Sequence, residues 1–285
     1  MLVAVICRMN QARSPFVQGV LLKNFGDHQI ISSGFEAIHG HNLIDGVAEL
    51  AKSWDIPLPK KTSSQLQDDK AELLKANLII CAEERFEAGV RELGFTGKVI
   101  SFENLLLDPS FMPLDPVGLT DDKFKRELAK ASALAIRAVR DELSLTFPNP
   151  ILVVTPNGTT DCDLALTSAL MEARLRDAIL VDADLRAPNT AGIRELNLTS
   201  IEFDLNDLDN LQLPTDNASQ ILTHKYQVNH PGQFLLSPIW SNFLLKLTQD
   251  RPVVLLTAPR YTPSTRLPES FLISAYASEI SLISS

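Results

Sequence analysis

Five residues separate Cys7 from Arg13 in the stretch VICRMNQARSPF, and Ser14 and Pro15 follow at once. A thiolate can attack an electrophilic centre, and a guanidinium can grip a tetrahedral oxyanion through two parallel hydrogen bonds. LVAVI, residues 2–6, is an apolar run that predicts a buried strand. Such a strand delivers Cys7 to the carboxyl edge of a parallel sheet, where open α/β sheets bind ligands. Ser14 and Pro15 predict a helix start, with Ser14 as N-cap and Pro15 at the first helical position, where its missing N–H is harmless. Between strand and helix, Arg8, Met9, Asn10, Gln11 and Ala12 must turn the chain back. Their backbone N–H groups then face inward as an anion nest, and the helix N-terminus adds its positive dipole end. Surroundings of this kind lower a thiol's pKa and favour the reactive anion. The expected chemistry is nucleophilic attack by Cys7 on a phosphoryl group bound by residues 8–14.

Phosphoryl transfer to a thiolate also needs a proton donor for the leaving oxygen. Two Asp-Pro pairs occur in LLLDPSFMPLDPVGLT, at Asp108 and Asp115. Asp115 is preferred, because Gly118 and a long predicted helix follow it directly, whereas Asp108 reads as a solvated turn residue.

Composition bounds what else the chain could be. Its 285 residues suggest about two domains, and 45% hydrophobic with 21% charged residues is ordinary for a globular protein. A net charge of -9 argues against a nucleic-acid partner, which needs a basic face. No apolar run is long enough for a membrane span, and residues 1–6 lack the charged start of a secretory signal, so the expected location is cytoplasmic. The three cysteines Cys7, Cys81 and Cys162 are too far apart for a disulfide framework or metal-ligand spacing. The five histidines show no ligand pairing either, so neither metal nor cofactor is expected. Cys81 and Cys162 read as small buried hydrophobes.

The elements that must position these residues alternate. Strands are expected at 2–6, 29–34, 77–81 and 98–102, and helices at 15–23, 44–54, 82–93 and 121–143. In the last helix Phe124, Leu128, Ala131, Ala135 and Val139 share a face. SLTFPNPI, residues 144–151, holds two prolines and reads as a linker. The pattern then restarts with strands at 151–155, 178–186, 252–258 and 280–284 and a helix at 164–175, while residues 204–232, rich in Asp, Asn, Gln and Pro, read mostly as loop. The fold class is α/β, with two doubly wound parallel-sheet domains over 1–145 and 151–285 and a linker at 146–150.

The set of an N-terminal strand, Cys7-x5-Arg13-Ser14-Pro15, SSG at 32–34 and a late Asp-Pro-x-Gly before the final helix resembles the low-molecular-weight protein tyrosine phosphatase family, over residues 1–145. That resemblance implies that Cys7 is the nucleophile, Arg13 binds the transferred group, and Asp115 is first the acid and then the base that hydrolyses a phosphocysteine. It implies that Asn10 holds the loop in a left-handed turn and that Ser14 hydrogen-bonds the thiolate. The implied substrate is a phosphotyrosine protein. Met9 stands where the family has glycine, Ala12 where many members have a second cysteine, and Val117 and Gly118 where some carry aromatic residues. Arsenate reductases share this scaffold, but a relay through Cys81 lacks the further cysteine it would need.

The second half carries VDADLRAP, residues 181–188, which resembles the Walker A′ segment of bacterial tyrosine kinases that control polysaccharide export; LLSPIWSNFLLKL and PVVLLTAP echo later segments of that family. The implied fold is P-loop NTPase-like. The phosphate loop is broken, however: TPNGTTDCDLA, residues 155–165, has one glycine and no lysine, and Asp161 and Asp163 would repel phosphates. Thr257 replaces a family aspartate. The expected role of this half is docking, onto a tyrosine kinase or its membrane activator, without nucleotide chemistry; Asp182 and Asp184 are then relics or interaction residues. The alternative is a scaffold in which both halves have lost catalysis.

Overall fold

The computed structural model describes residues 1–156, 162–185, 190–215, 220–226, 228, 231–257 and 268–283. The chain divides into two compact units, Met1–Leu145 and Thr146–Ser285. Both are α/β, and every strand pair in both sheets is parallel.

The first unit contains β1 (Leu2–Cys7), α1 (Arg13–Asn24), β2 (Gln29–Gly34), α2 (Val47–Ser53), α3 (Lys70–Leu73), β3 (Leu78–Cys81), α4 (Arg85–Glu92), β4 (Lys98–Ser101) and α5 (Asp121–Glu142). Its sheet runs β2-β1-β3-β4. Central strands of a parallel sheet are covered on both faces, which is why β1 and β3 read as continuous apolar runs rather than as alternation. The register pairs Cys7 with Gly34, Ile6 with Cys81, and Cys81 with Ser101, so the carboxyl ends of all four strands share one edge. On one flank α1 packs beside α5. Phe16, Val20 and Leu21 of α1 and Leu128, Ala131, Ala135 and Val139 of α5 are fully buried. Gly19 lets α1 approach the next segment, because a Cβ there would lie 2.0 Å from the Pro57 carbonyl oxygen.

The second unit contains β5 (Ile151–Pro156), α6 (Cys162–Arg176), β6 (Ile179–Asp182), α7 (Thr190–Glu195), β7 (Thr199–Phe203), β8 (Gln220–His224), α8 (Gly232–Leu235), α9 (Pro238–Leu247), β9 (Val253–Leu256), α10 (Pro268–Ile273) and β10 (Glu279–Ile283). The sheet order is β10-β5-β9-β6-β8-β7. One core joins Leu166, Ala169 and Leu170 of α6 to Val154, Leu180, Ile221 and Val254 of the sheet. Trp240, Phe243, Leu244 and Leu247 of α9 are also buried, and the Phe243 ring stacks on Phe203 at 4.5 Å.

Two expectations need correction. The described part of residues 204–232 is mostly loop, but it also holds a strand that the sequence reading did not place, β8, which pairs with β6 on one side and β7 on the other. Its apolar pair Ile221 and Leu222 is fully buried there, and tertiary pairing overrides the polar composition around it. The start of α1 also lies earlier than expected, for a reason that belongs to the site.

Candidate active site

β1 ends at Cys7 on the carboxyl edge, and α1 begins at Arg13 after five intervening residues. The turn between them is sharp because Asn10 adopts a left-handed conformation, φ 53°, which asparagine tolerates better than most residues. Asn10 is fully buried and its amide is fully used. Its Nδ2 donates to Ser14 Oγ at 2.9 Å and to Ser32 Oγ at 3.1 Å, and its Oδ1 accepts from the Ser64 backbone N–H at 3.0 Å.

The N-cap of α1 is Ala12, not Ser14, and Pro15 is the third helical residue, not the first. The Ser14 hydroxyl is engaged elsewhere: it lies 3.0 Å from Cys7 Sγ and accepts from Asn10. Ala12 has no side chain with which to cap, so the first-turn amides of α1 are left facing the loop. Pro15 still costs nothing, since a third-position N–H would also lack an intrahelical partner. Among the described residues, no backbone N–H from Arg8 to Arg13 donates to a protein acceptor, so these groups are available to an anion.

Cys7, Arg8, Met9, Gln11, Ala12 and Arg13 line a small pocket together with Ile44, Asp115 and Val117. Of the residues expected to bind phosphate, Asn10 and Ser14 do not line it. Both are buried behind it and hold its shape. Gln11 turns its side chain to the Asn42 carbonyl, and its own carbonyl accepts from the Ile44 N–H, which brings Ile44 to the rim. The Arg8 guanidinium pairs with Glu36 at 2.6 Å, and each partner moves the other's titration toward the charged form.

Arg13 is 3% exposed and its Nη2 reaches two carboxylates, Glu83 at 2.8 Å and Asp115 at 3.3 Å. A buried guanidinium needs such compensation. Asp115 comes from the irregular segment before α5, and its second oxygen accepts from the Val117 N–H at 3.2 Å, which sets the carboxylate's direction. Asp108 instead accepts from the Ser110 N–H in a short helical turn and is absent from the pocket lining. Glu83 was not among the expected site residues. It follows β3 by two positions, and only the placement of β3 directly beside β1 brings it to Arg13. It also holds Arg85 at 2.7 Å.

Cys81 is fully buried at the end of β3. Burial pushes its thiol pKa well up, and the nearby carboxylates of Glu87 and Glu103 push it further. Among the described residues no three His, Cys, Asp or Glu side chains are placed to hold a metal ion. No helix among them is long and apolar enough to cross a membrane.

In the second unit, Asp182 is buried at the end of β6 and its Oδ1 accepts from the Asp184 N–H at 3.1 Å. Thr257 is buried just after β9. The substituted phosphate-loop residues 157–161, including Asp161, lie outside the described residues, as do the side chains of Cys162 and Asp163 and residues 186–189.

No family model matches the chain, and no curated protein matches it. Among solved structures it is similar to the tyrosine phosphatase AmsI of Erwinia amylovora, with 20% identity and a TM-score of 0.44 over 49% of this chain and 91% of that one. It is similar to the tyrosine phosphatase Wzb of Escherichia coli K30, solved with sulphate, with 18% identity and a TM-score of 0.43 over 50% of this chain and 97% of that one. A mutant of YwlE from Bacillus subtilis gives 18% identity and a TM-score of 0.43 over 50% of this chain and 99% of that one.

Proposed function

We propose that the first unit is a protein tyrosine phosphatase that works through a phosphocysteine. The observation that carries this reading is the convergence of Cys7, Arg13 and Asp115 on one pocket, with Ser14 Oγ 3.0 Å from the Cys7 sulfur. In the first step the Cys7 thiolate attacks phosphorus, an S–P bond forms, and the P–O bond to the leaving group breaks. Asp115 gives its proton to the departing oxygen. In the second step Asp115, now a carboxylate, takes a proton from a water that attacks phosphorus. The S–P bond breaks, and inorganic phosphate leaves. Arg13 and the amides of residues 8–13 hold the equatorial oxygens throughout, where charge is spread in the transition state. Ile44 and Val117 offer aliphatic walls on which a flat aryl group can lie.

An arsenate reductase with an internal thiol relay is disfavoured by the burial of Cys81, whose thiolate is the form such a relay would need. For the second unit the reading is a degenerate kinase-like domain that docks the phosphatase onto a tyrosine kinase or its membrane activator in the cytoplasm. The sequence support is VDADLR beside a loop without lysine.

Steady-state release of phosphate from an aryl phosphate and from a phosphotyrosine peptide tests the enzymatic reading. Turnover that is lost in Cys7→Ser at unchanged thermal stability is expected, and wild-type protein inert toward both substrates would overturn it. Calorimetry with ATP and Mg²⁺ tests the second unit, and micromolar binding would contradict the degenerate assignment.

A further inference from the structure

We infer that Lys60 is a positioning residue for the Cys7 site, acting through Ser64 and Asn10. This deepens the phosphatase reading and rests on it only for the reaction, not for the geometry.

Lys60 sits in a stretch of the first unit without regular helix or strand, yet its ammonium is completely engaged. Nζ donates to the Ser32 carbonyl at 2.5 Å, to Ser64 Oγ at 2.6 Å and to Asp69 Oδ2 at 3.4 Å. An ammonium has three N–H donors, and each finds an acceptor. The Lys60 and Asp69 side chains are 26% and 18% exposed, so this pair is screened less than a surface ion pair.

Proton counting gives the network a direction. A hydroxyl has one proton to donate. Ser64 Oγ accepts from Lys60, and its proton goes to Asp69 Oδ2 at 2.5 Å in preference to Asn10 Oδ1 at 3.4 Å. Ser64 thereby keeps its backbone N–H on Asn10 Oδ1 at 3.0 Å. With Oδ1 held, Asn10 Nδ2 must face Ser14 and Ser32. The Ser32 proton is committed to Gln18 Oε1 at 2.8 Å. Ser14 Oγ accepts from Asn10 and has one proton to give, with Cys7 Sγ at 3.0 Å and the Ser33 carbonyl at 3.3 Å within its reach; once the sulfur is a thiolate it can only accept, and the hydroxyl is the donor of that pair. A hydroxyl donating to sulfur stabilises the anion over the thiol. Lys60 thus holds Ser64, the Ser64 backbone N–H holds Asn10, and the Asn10 amide holds the Ser14 hydroxyl beside Cys7.

Lys60 also clamps two pieces of backbone. It ties the 60–69 segment to the Ser32 carbonyl of β2, and Ser32 and Ser64 are the two residues that grip Asn10 besides Ser14. Without the ammonium, the Asp69 carboxylate, the Ser64 hydroxyl and the Ser32 carbonyl all lose a donor in a half-buried place. The Gly34 N–H still holds the Ser64 carbonyl at 2.9 Å, so the segment stays in place, and the change expected is a less exact placing of the Ser64 N–H on Asn10 Oδ1.

The test is the rate of Cys7 alkylation by iodoacetamide in the full chain at one fixed pH, read by mass spectrometry of the Cys7 peptide. This needs no turnover. In Lys60→Met the rate is expected to fall about tenfold, the size of one lost charge-assisted hydrogen bond. Lys60→Arg, which keeps the cation, should recover part of it. Ser64→Ala keeps the backbone bond to Asn10 but loses the hydroxyl that links it to Lys60, and should be slow as well. With p-nitrophenyl phosphate, kcat should fall in parallel while KM stays near the wild-type value. Should Lys60→Met fail to fold, Ser64→Ala carries the test alone. Wild-type alkylation rates in the variants that fold would overturn the inference. Slow alkylation in them, beside a wild-type protein that hydrolyses no aryl phosphate, would uphold Lys60 as a positioning residue and overturn the phosphatase reading instead.

Discussion

Asp115 Oδ2 lies 3.3 Å from Arg13 Nη2, so the proposed acid and the proposed phosphate ligand are already paired across the pocket. An arriving phosphoryl group has to take over the guanidinium from that carboxylate. The exchange is balanced, because Glu83 keeps its 2.8 Å contact to the same nitrogen and Arg13 never stands uncompensated. The carboxylate released from Arg13 is left beside the leaving-group oxygen, where the proton is needed.

Asp115→Asn removes the proton donor but keeps the shape of the loop. Hydrolysis of an alkyl or phenyl phosphate should fall by about 10²–10⁴-fold, the usual contribution of a general acid. An aryl phosphate with an acidic phenol needs little protonation and should lose much less. The basic limb of the pH–rate profile should vanish in the variant. Equal losses across leaving groups would point to a structural role for Asp115.

Arg13→Lys retains one positive charge but not the planar fork. A loss of about 10²–10³-fold in kcat/KM is expected, comparable to deleting one oxyanion donor. The shorter reach to Glu83 and Asp115 should also loosen the segment around Val117, which limited proteolysis can read.

Asn10→Ala combines two costs. Alanine is poorly suited to φ 53°, and the variant leaves Ser14, Ser32 and the Ser64 N–H without their partner. Together these should lower stability by about 2–4 kcal/mol, measurable as a shift in the urea midpoint. A change within experimental error would show that the turn is held by something else.

The fold was legible wherever local signal and tertiary role agree. LVAVI announces a central strand because both of its faces are covered, and the apolar stripe of α5 lies on its buried face as its spacing requires. Cys7 and Arg13 were legible from their spacing after an apolar strand, and Asp115 was preferred to Asp108 from the glycine and helix that follow it; the structure brings these three to one pocket. The local reading of Ser14 as a cap failed because its hydroxyl lies against Cys7, a contact no propensity rule registers and only the family resemblance implied. Glu83 was missed because its partner is seventy positions away in the chain and depends on strand order. β8 was hidden by polar flanks, although QILTH itself is a plausible strand.

Cys81 gives a pH dependence of stability. Burial first, and the carboxylates of Glu87 and Glu103 next, raise its pKa in the folded chain above the ordinary value of 9.0. Below that value the thiol is neutral whether the chain is folded or not, and its contribution is fully present. As pH rises past 9.0 the unfolded chain ionises while the folded chain does not, so stability falls, by up to about 1.4 kcal/mol per pH unit from this one group. Cys81→Ala should flatten the decline above that pH in urea titrations. The same burial should leave Cys81 unlabelled by iodoacetamide under conditions that modify Cys7.

The central claim is that the Cys7 sulfur carries the phosphoryl group. Rapid acid quench of the full chain during turnover of p-nitrophenyl phosphate, followed by peptide mass spectrometry, tests it most directly. The expected result is a phosphoryl adduct on the peptide containing Cys7, more abundant in Asp115→Ala, where hydrolysis of the intermediate is slowed, and absent in Cys7→Ser together with turnover. Turnover at the wild-type rate in Cys7→Ser, or an adduct found elsewhere on the chain, would contradict the claim.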